Sequence, residues 1–297
     1  MILIVGATGH LGGHVARQLL AQGRPVRAMT RKPARASALR GAGAEVVQGD
    51  LRDTASLRAA MHGVRAVISA SHAMLGAGQN SSARVDDEGQ RTLIDAAKDA
   101  RVNHFVFTSV LGASATHPVD FWRTKERVER YLIASGLAYT IIRPAAFMEV
   151  HAYELIGKAV LAGKAAVLFG PGTNPKNFVA AADVAALIVR ALGDPEWRGE
   201  TVEIGGPENL SSRQVVAVFE RMTGKPARVV HLPLPVLRAV SRVARPIHPG
   251  VSRILQAAIV GETTDQRFDP APLLARVPLT LTRLEDWVRV RVTPSAN

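Results

Sequence analysis

The chain has 297 residues, 47% of them hydrophobic, so it is long enough to bury a sizeable core and exceeds one nucleotide-binding domain. It contains no cysteine, which excludes disulfide bonds, thiolate metal sites and a cysteine nucleophile. The formal net charge is +12, yet only 5% of residues are aromatic and they do not interleave with the basic residues as a base-stacking surface requires. We therefore predict no nucleic-acid partner.

The first element is a short apolar strand, residues 2–5, that runs into a glycine-rich turn and an amphipathic helix. Gly6 allows the tight turn, Gly9 lets backbone N–H groups approach a pyrophosphate, and Gly12 lets the helix pack close to the strand. The helix N-terminus adds free N–H groups and a positive dipole end. A connecting turn without a ligand is the alternative, but the strand-turn-helix context favours a dinucleotide site. The predicted contacts are Gly6, Thr8, Gly9, His10, Leu11 and Gly12.

Apolar runs alternate with helical patterns through the first half, which is typical of a parallel sheet covered on both faces. The further predicted strands are 26–29, 45–48, 66–70, 105–109 and 139–143, and the predicted helices between them are 54–62, 85–100 and 124–135. We predict an α/β fold of the Rossmann type, a doubly wound parallel sheet with a smaller C-terminal α/β substrate cap.

After Pro144 the alternation lapses. The predicted elements there are helix 153–162, strand 167–169, helix 184–192, strand 201–204, helix 212–223 and strand 228–231. The predicted domains are a core at 1–149 and a C-terminal part at 150–297, in which the cap interleaves with elements at about 178–223 that return to the core. No stretch reads as a membrane span. A core strand beginning at residue 2 leaves no room for a cleaved signal peptide, so we expect a cytoplasmic protein.

Segment 233–259 combines apolar residues with arginines, as does a basic helix that lies on anionic lipid. We expect its apolar stripe to pack on the core and its arginines to be solvated, and we do not predict a membrane-surface partner. Membrane association is the alternative.

Polar residues after three strands indicate the cofactor. Strand two ends in Thr30-Arg31-Lys32 without the carboxylate that an NAD ribose requires, so Arg31 favours a 2′-phosphate and NADP(H) over NAD(H). The alternative is that Arg31 and Lys32 belong to a solvated loop that binds no phosphate. Asp50 and Leu51, after strand three, form either an adenine contact or an Asx turn. Strand four ends where a cofactor passes in such sheets. The predicted contacts there are Ser69, Ala70 and Ser71.

Several motifs together resemble the NmrA-like group of atypical short-chain dehydrogenase/reductases. They are G-A-T-G-H-L-G, T-R-K-P, G-D-L, F-V-F-T-S-V-L-G-A, S-G-L-A-Y-T-I-I-R-P and V-A-A-A-D-V-A-A-L-I. The resemblance runs from Met1 to about Met222. It implies an NADP(H)-binding core with a small substrate cap, and it supports Asp50 and Leu51 as adenine contacts. It also implies that the chain turns over the nicotinamide near Pro144 and Phe147.

One departure from that resemblance concerns the proton donor. The wider superfamily uses a tyrosine four residues before a lysine, whereas here Phe121 precedes Lys125. Lys125 can still bind the ribose or act as an acid, unless it is a solvated lysine paired with Glu129. Ser109 matches the family's Ser/Thr region and could polarise a carbonyl or bond to the backbone. The other conceivable donors, which we do not favour, are His72, His117, His151 and Tyr153.

Two functions follow from these residues, and neither uses a metal, since no metal-ligand spacing occurs. The favoured one is an NADPH-dependent reductase acting on a small apolar carbonyl, enone or quinone-like acceptor. The alternative is a non-catalytic NADP(H)-binding regulator or assembly factor, which the loss of the tyrosine at Phe121 suggests.

Overall fold

The structure is a computed structural model that describes residues 1–292. Its strands, numbered in chain order, are β1 Ile2–Val5, β2 Val26–Thr30, β3 Glu45–Gln48, β4 Ala66–Ser69, β5 His104–Thr108, β6 Tyr139–Pro144, β7 Ala146–Phe147, β8 Ala166–Phe169, β9 Lys176–Val179, β10 Glu200–Ile204, β11 Asn209–Leu210 and β12 Val229–Leu232.

The α-helices are α1 His10–Ala21, α2 Ser37–Gly41, α3 Thr54–Ala60, α4 Gly89–Asp99, α5 Asp120–Ala134, α6 Lys158–Leu161, α7 Ala181–Gly193, α8 Ser212–Thr223, α9 Leu234–Ile247, α10 Pro249–Thr263, α11 Ala271–Arg276 and α12 Leu284–Val292. Within residues 1–292, two segments are π-helical, Ala83–Glu88 and Met148–Gly157. Short 3₁₀ turns span Pro33–Ala36, Gly78–Asn80 and Pro195–Trp197.

The central sheet has the strand order β10-β6-β5-β4-β1-β2-β3. Each of the neighbours from β6 to β3 pairs in parallel, with Ile2 of β1 opposite Val26 on one side and Ala66 on the other. The α/β doubly wound fold predicted from the sequence is therefore confirmed. The chain leaves β3 at one edge and re-enters at β4 on the far side of β1. This reversal places a topological switch point at the carboxyl end of β1, where such sheets bind ligands.

The central strands are buried along their whole length because most of their side chains, on both faces, are apolar. β1, β4 and β5 have only buried residues, and Leu3, Phe105 and Phe107 are fully buried in one cluster with residues of the covering helices. A strand buried on both sides has no polar alternation, which explains its continuous apolar sequence. Burial of each such side chain contributes about 1.5–3 kcal/mol before the entropy cost of folding is counted.

The chain divides into two compact units, and the divisions differ from the predicted ones. The first unit is Met1–Arg143 with Val184–Glu203, and the second is Pro144–Asp183 with the chain from Ile204 onward. We predicted a core at 1–149 and a returning segment at about 178–223, which is wider than the observed return. The reason is that β9 pairs with β7 and β11, and that α8 packs on the Met148–Gly157 helix, so both stay in the second unit.

The second unit has its own core and a buried carboxylate. Phe219 of α8 is fully buried, and the Cβ of any residue larger than glycine at position 157 would lie 2.1 Å from its ring. Glu149 is 1% exposed, and its carboxylate accepts hydrogen bonds from Ala181 N at 3.1 Å and Trp287 Nε1 at 3.2 Å. These bonds connect three segments that are far apart in the sequence.

Several elements were absent from the sequence prediction or differ from it. The strands β7 and β9 were not predicted, because they are two and four residues long and follow turn-forming residues. The helix predicted at 85–100 begins as the π-helix Ala83–Glu88, and the one predicted at 153–162 begins as the π-helix Met148–Gly157. The helix predicted at 124–135 begins at Asp120, one turn earlier.

A buried histidine in β5 makes the first unit sensitive to acid. The His104 Nε2 atom lies 2.8 Å from Thr140 Oγ1, and that hydroxyl donates to the carbonyl of Trp197 at 2.7 Å. The hydroxyl proton is thereby used, so the imidazole Nε2–H is the donor to Thr140. Burial, and then the positive charge of Arg198, lowers the pKa of His104 from 6.5 to about 4.

We predict that this histidine causes a loss of stability between pH 6.5 and pH 4. Below pH 6.5 the unfolded chain binds a proton that folded His104 does not take up until about pH 4. Its contribution is therefore complete above pH 6.5 and is lost as the pH falls, by about 3 kcal/mol. Urea unfolding from pH 7 to pH 4 should show a smaller decline for His104→Gln, which keeps a donor for Thr140. Parallel declines in the two proteins would contradict the assignment.

Candidate functional site

The turn after β1 can be built only with glycine at two positions. Gly6 has φ +87°, and a Cβ there would lie 2.9 Å from the carbonyl carbon of Ala70. A Cβ on Gly12 would lie 2.3 Å from the Gly6 carbonyl oxygen, which is far inside van der Waals contact. Helix α1 therefore starts against the turn, and Gly9 N closes the turn by donating to the Gly6 carbonyl at 3.0 Å.

The N-terminus of α1 is open to solvent at this turn. Gly9 is the N-cap and contributes no side-chain hydrogen bond, and Thr8, Gly9 and His10 are exposed. The first-turn N–H groups therefore have no side-chain cap and can receive an anion. Leu11, which we predicted as a cofactor contact, is 6% exposed and is packed in the interior, so little of its side chain is available to a ligand.

A cleft of about 340 Å³ lies beyond the ends of β2 and β3, and it is lined by Arg31, Gln48, Gly49, Asp50, Asp53 and Ser56. The Arg31 guanidinium is exposed and donates to Asn80 Oδ1 at 2.9 Å. Asp50 accepts from Arg52 Nε at 2.9 Å, and this hydrogen bond holds the pKa of the Asp50 carboxyl below its usual value. The cleft therefore combines the Arg31 guanidinium with two carboxylates, Asp50 and the helix-capping Asp53, that are already hydrogen-bonded.

Asn80 and Arg52, which hydrogen-bond to the predicted residues Arg31 and Asp50, were not identified from the sequence. Neither Asn80 nor Arg52 belongs to a motif, and Asn80 is 49 positions from Arg31. The only sequence signal was the position of Arg52 two residues after Asp50, which suits an Asx turn, and Arg52 N does donate to Asp50 Oδ1 at 3.0 Å. Leu51, predicted to contact adenine, is 6% exposed and belongs to the core cluster of the first unit.

Gln90 organises the end of β4. Ser69 Oγ donates to Gln90 Oε1 at 2.7 Å, and Gln90 Nε2 donates to Ser71 Oγ at 3.2 Å. The predicted residues Ser69, Ala70 and Ser71 therefore present mainly backbone to the turn at Gly6, since both hydroxyls are hydrogen-bonded to Gln90. No motif indicated Gln90, which is fully buried on α4.

Lys125 is fully enclosed next to the end of β5. Its Nζ donates to the carbonyl of Thr108 at 2.9 Å and lies 4.7 Å and 5.6 Å from the ring centroids of Phe107 and Phe121. Burial lowers the pKa of the Lys125 ammonium, against the opposing charges of Asp86 and Glu129. Its suggested partner Glu129 forms a two-point ion pair with Arg143 instead, at 3.0 and 2.6 Å.

Two hydroxyls beside Lys125 have no partner. Among the described residues, Thr108 Oγ1 and Ser109 Oγ are buried side-chain atoms without a hydrogen bond. Ser109 thus does not bond to the backbone through its hydroxyl, although its N–H donates to the carbonyl of Ile142 at 2.8 Å. Unsatisfied buried hydroxyls are costly and rare, so a pair of them next to a buried amine indicates a ligand-binding edge.

A loop from the end of β4 brings His72 to the same region. Its ring meets that of Phe121 edge-on with 6.1 Å between centroids, and the surrounding protein, followed by the charge of Lys125, lowers the pKa of His72. Asp86 is fully buried and anchors this loop by accepting from Ala73 N at 2.9 Å and from Ser82 Oγ at 2.6 Å. The structure therefore brings His72 next to Phe121, which lies one helical turn before Lys125 and is far from His72 in the sequence.

The other predicted residues lie elsewhere. His117 stacks on Trp122 with 4.8 Å between ring centroids and accepts from Val119 N at 3.1 Å. In the second unit, Pro144 ends β6, Phe147 lies in β7, and His151 and Tyr153 lie on the Met148–Gly157 helix. Within residues 1–292, no group of three His, Asp or Glu side chains could hold a metal ion.

The fold and these strand ends define a class. A glycine turn at the switch point, an arginine cleft after β2 and a buried lysine after β5 all follow the carboxyl edge of one parallel sheet. That arrangement is the one seen in Rossmann-fold proteins, in which a dinucleotide lies along this edge.

Within that class, the chain belongs to the NmrA-like family, whose profile matches residues 1–284. It is 32% identical over 237 residues to an NAD(P)H azoreductase of Xenophilus azovorans, covering 79% of this chain and 78% of that protein. It is also 32% identical over 247 residues to the photosystem II assembly factor Ycf39 of Synechocystis sp., covering 82% and 74%.

A solved structure agrees with this assignment. The NADPH-dependent quinone oxidoreductase QOR2 of Escherichia coli, determined with NADPH bound, has a TM-score of 0.78 to this chain at 26% identity. The match covers 98% of this chain and 99% of that one. The resemblance inferred from sequence motifs is therefore confirmed.

Two neighbouring glycines in α1 provide a matched test of the turn. Gly12→Ala forces a Cβ to within 2.3 Å of the Gly6 carbonyl, so we predict destabilisation by about 1–3 kcal/mol. At Gly13 the nearest atom would be in the Arg17 guanidinium, at an ordinary van der Waals distance of 3.4 Å, so Gly13→Ala should be neutral or gain up to about 1 kcal/mol of helix propensity. Thermal and urea unfolding measure both. Equal stability of the two variants would refute the proposed close approach.

Proposed function

We propose that this protein is an NADPH-dependent reductase of small, mostly apolar acceptors, with an aldehyde, enone or quinone as the acceptor group. The observation that supports it most directly is the buried amine of Lys125 beside two unpartnered hydroxyls at the end of β5. A lysine costs free energy to bury, and no carboxylate side chain is hydrogen-bonded to its Nζ in the part of the chain that the structure describes. Such an amine is suited to hold a ribose hydroxyl or to supply a proton.

The residues present fit NADP(H). The glycine turn leaves no room for side chains and exposes the uncapped N-terminus of α1, as a pyrophosphate requires. The cleft after β2 offers the Arg31 guanidinium, which can grip a 2′-phosphate with two hydrogen bonds. The quinone oxidoreductase neighbour was determined with NADPH, which supports the same cofactor here.

When bound, NADPH supplies the hydride, and the acceptor also needs one proton. Phe121 has no proton to give, so another group must provide it. We assign this role to Lys125, because its lowered pKa eases proton loss and because two of its three N–H bonds remain after the one to Thr108. We further propose that the Ser109 hydroxyl polarises the acceptor oxygen, because it is buried without a hydrogen-bond partner among the described residues.

The apolar surroundings of the amine favour apolar acceptors. Phe107 and Phe121 lie against Lys125, and Phe121 is 6% exposed. The azoreductase and quinone oxidoreductase relatives support a reductase of this general kind. Reduction of a quinone depends least on a proton donor in the protein, because the reduced quinone is a comparatively stable anion.

A second candidate function is a non-catalytic NADP(H)-binding regulator or assembly factor. Two observations favour it, the phenylalanine at position 121 and the similarity to the Ycf39 assembly factor. Such a protein would bind NADP⁺ and NADPH with different affinities, turn over no acceptor and copurify with another protein.

The cofactor preference can be tested without knowing the acceptor. If Arg31 holds the 2′-phosphate, the protein should bind NADPH more tightly than NADH by roughly tenfold to a hundredfold, since such charged hydrogen bonds contribute about 1.5–3 kcal/mol. Arg31→Ala should remove most of that preference and leave NADH affinity nearly unchanged. Arg40→Ala, an exposed arginine on α2, is the matched control and should keep the preference. Equal affinity of the native protein for both cofactors would contradict the Arg31 assignment.

The catalytic proposal is tested by NADPH oxidation with quinones, aldehydes and enones. For aldehydes and enones, kcat should fall as pH rises through the lowered pKa of Lys125, because the protonated amine is the donor. Lys125→Met should lower that kcat by about 10²–10⁴ and affect quinone reduction less.

The control for this experiment is His72→Asn, which should keep the alkaline decline in kcat. If His72→Asn abolishes that decline and Lys125→Met does not, His72 is the donor. Absence of turnover with every acceptor, together with intact cofactor binding, would reject the reductase in favour of the regulator.

A further inference from the structure

Helix α9 leaves an apolar stripe uncovered, contrary to what we expected of segment 233–259. Val236, Val240, Val243 and Ile247 are 47%, 47%, 67% and 77% exposed. Their spacing of four, three and four residues places them on one line along a helix of 14 residues, about 21 Å long. In most proteins such a stripe is the face that packs on the core.

The packed face of α9 is a different one. Leu237 and Ser241 are buried, and Ser241 exchanges hydrogen bonds with Ser252 of α10, whose Oγ donates to the Ser241 carbonyl at 2.8 Å. The helix is thus already fixed in the second unit by a face that does not include the stripe. The stripe is therefore exposed even though α9 is packed on α10.

A third face of α9 is strongly basic. Arg238, Arg242 and Arg245 are exposed, and within residues 1–292 none of the three forms an ion pair. Position 238 is about 200° around the helix from position 236, so the arginines lie opposite the stripe. From Leu234 to Gly261 the chain has no aspartate or glutamate. This hairpin of α9 and α10 therefore complements an anionic surface.

The shape and size of the stripe favour a lipid surface over a protein. Four aliphatic residues on a convex helix are far fewer than the roughly 20–30 residues per side of a stable protein interface. A planar bilayer interface accepts a convex helix whose apolar face enters about 5–10 Å, with the basic side chains reaching back to the phosphates. We propose that α9 docks this protein on the surface of an anionic membrane, as a peripheral contact that does not span the bilayer.

The composition of the hairpin predicts how that binding behaves. Residues 234–263 contain no tryptophan, tyrosine or phenylalanine, the side chains that anchor helices at bilayer interfaces. Valine and isoleucine give modest apolar burial, so attraction of the arginines to anionic headgroups must supply much of the affinity. Binding should therefore require anionic lipid and weaken as salt shortens the range of that attraction. No helix among the described residues is long and apolar enough to cross a bilayer, which is consistent with surface docking.

The test is co-sedimentation of the whole protein with vesicles of phosphatidylcholine alone or with about one third phosphatidylglycerol, at low and high salt. The native protein should sediment with the anionic vesicles at low salt and stay in the supernatant otherwise. Val243→Asp should weaken binding by roughly tenfold or more. Arg238→Gln, Arg242→Gln and Arg245→Gln should each weaken it by about fivefold. Val290→Asp, which changes a valine that is 81% exposed on α12, is the matched control and should bind like the native protein.

Three results would overturn the proposal. The first is that the native protein does not bind anionic vesicles at low salt. The second is that the arginine variants lose binding while Val243→Asp keeps it, which would indicate nonspecific charge attraction. The third is that Val243→Asp converts a dimer to a monomer in light scattering, which would show that a second copy covers the stripe. Unchanged melting temperatures verify that each variant is folded, and NADPH oxidation is scored separately because docking does not depend on it.

Discussion

The organisation of the site depends on the close approach of helix α1 to the turn that follows β1. The hydrogen on Gly12 is the largest substituent that fits beside the Gly6 carbonyl, since a Cβ there would lie 2.3 Å away. On the other side of Gly6, the backbone of Ala70 would lie 2.9 Å from a Cβ at position 6. These contacts align the N-terminus of α1 with the ends of β1 and β4, and the uncapped N–H groups lie at the switch point of the sheet as a consequence.

Buried polar groups hold the remaining parts of the site in place. Asp86 fixes the loop that carries His72, and Gln90 ties together the serines after β4. Each of these groups is fully buried and satisfied, so replacing it would leave donors unpaired at a cost of about 1–3 kcal/mol apiece. Lys125 is different, because it is buried with only one hydrogen bond, to a backbone carbonyl. The burial of Lys125 thus lowers the stability of the protein at the place where the proposed chemistry occurs.

Sequence patterns were informative where the signal is local. The strands of the central sheet, the glycine turn and the residues that follow each strand could all be predicted, because apolar runs and glycine spacing reflect burial and backbone sterics directly. Leu11 was predicted to contact the cofactor from its position, and Leu51 from its position and the family resemblance. The burial of both side chains, which are 6% exposed, was not foreseen, because neighbours along the chain do not reveal side-chain burial. Arg52, Asn80 and Gln90 were missed because their roles come from contacts with residues that no motif connects to them.

The sequence by itself determined the fold class and the absence of a tyrosine before Lys125, and it predicted the edge of the sheet at which a dinucleotide binds. Only the tertiary structure decided which residues satisfy one another: Glu129 pairs with Arg143 rather than Lys125, and the hydroxyls of Thr108 and Ser109 are unpaired. It also decided that the stripe of α9 is exposed. Periodicity shows that a helix has an apolar face, but the surface that covers this face comes from distant residues, and their positions are set by the packing of the whole chain.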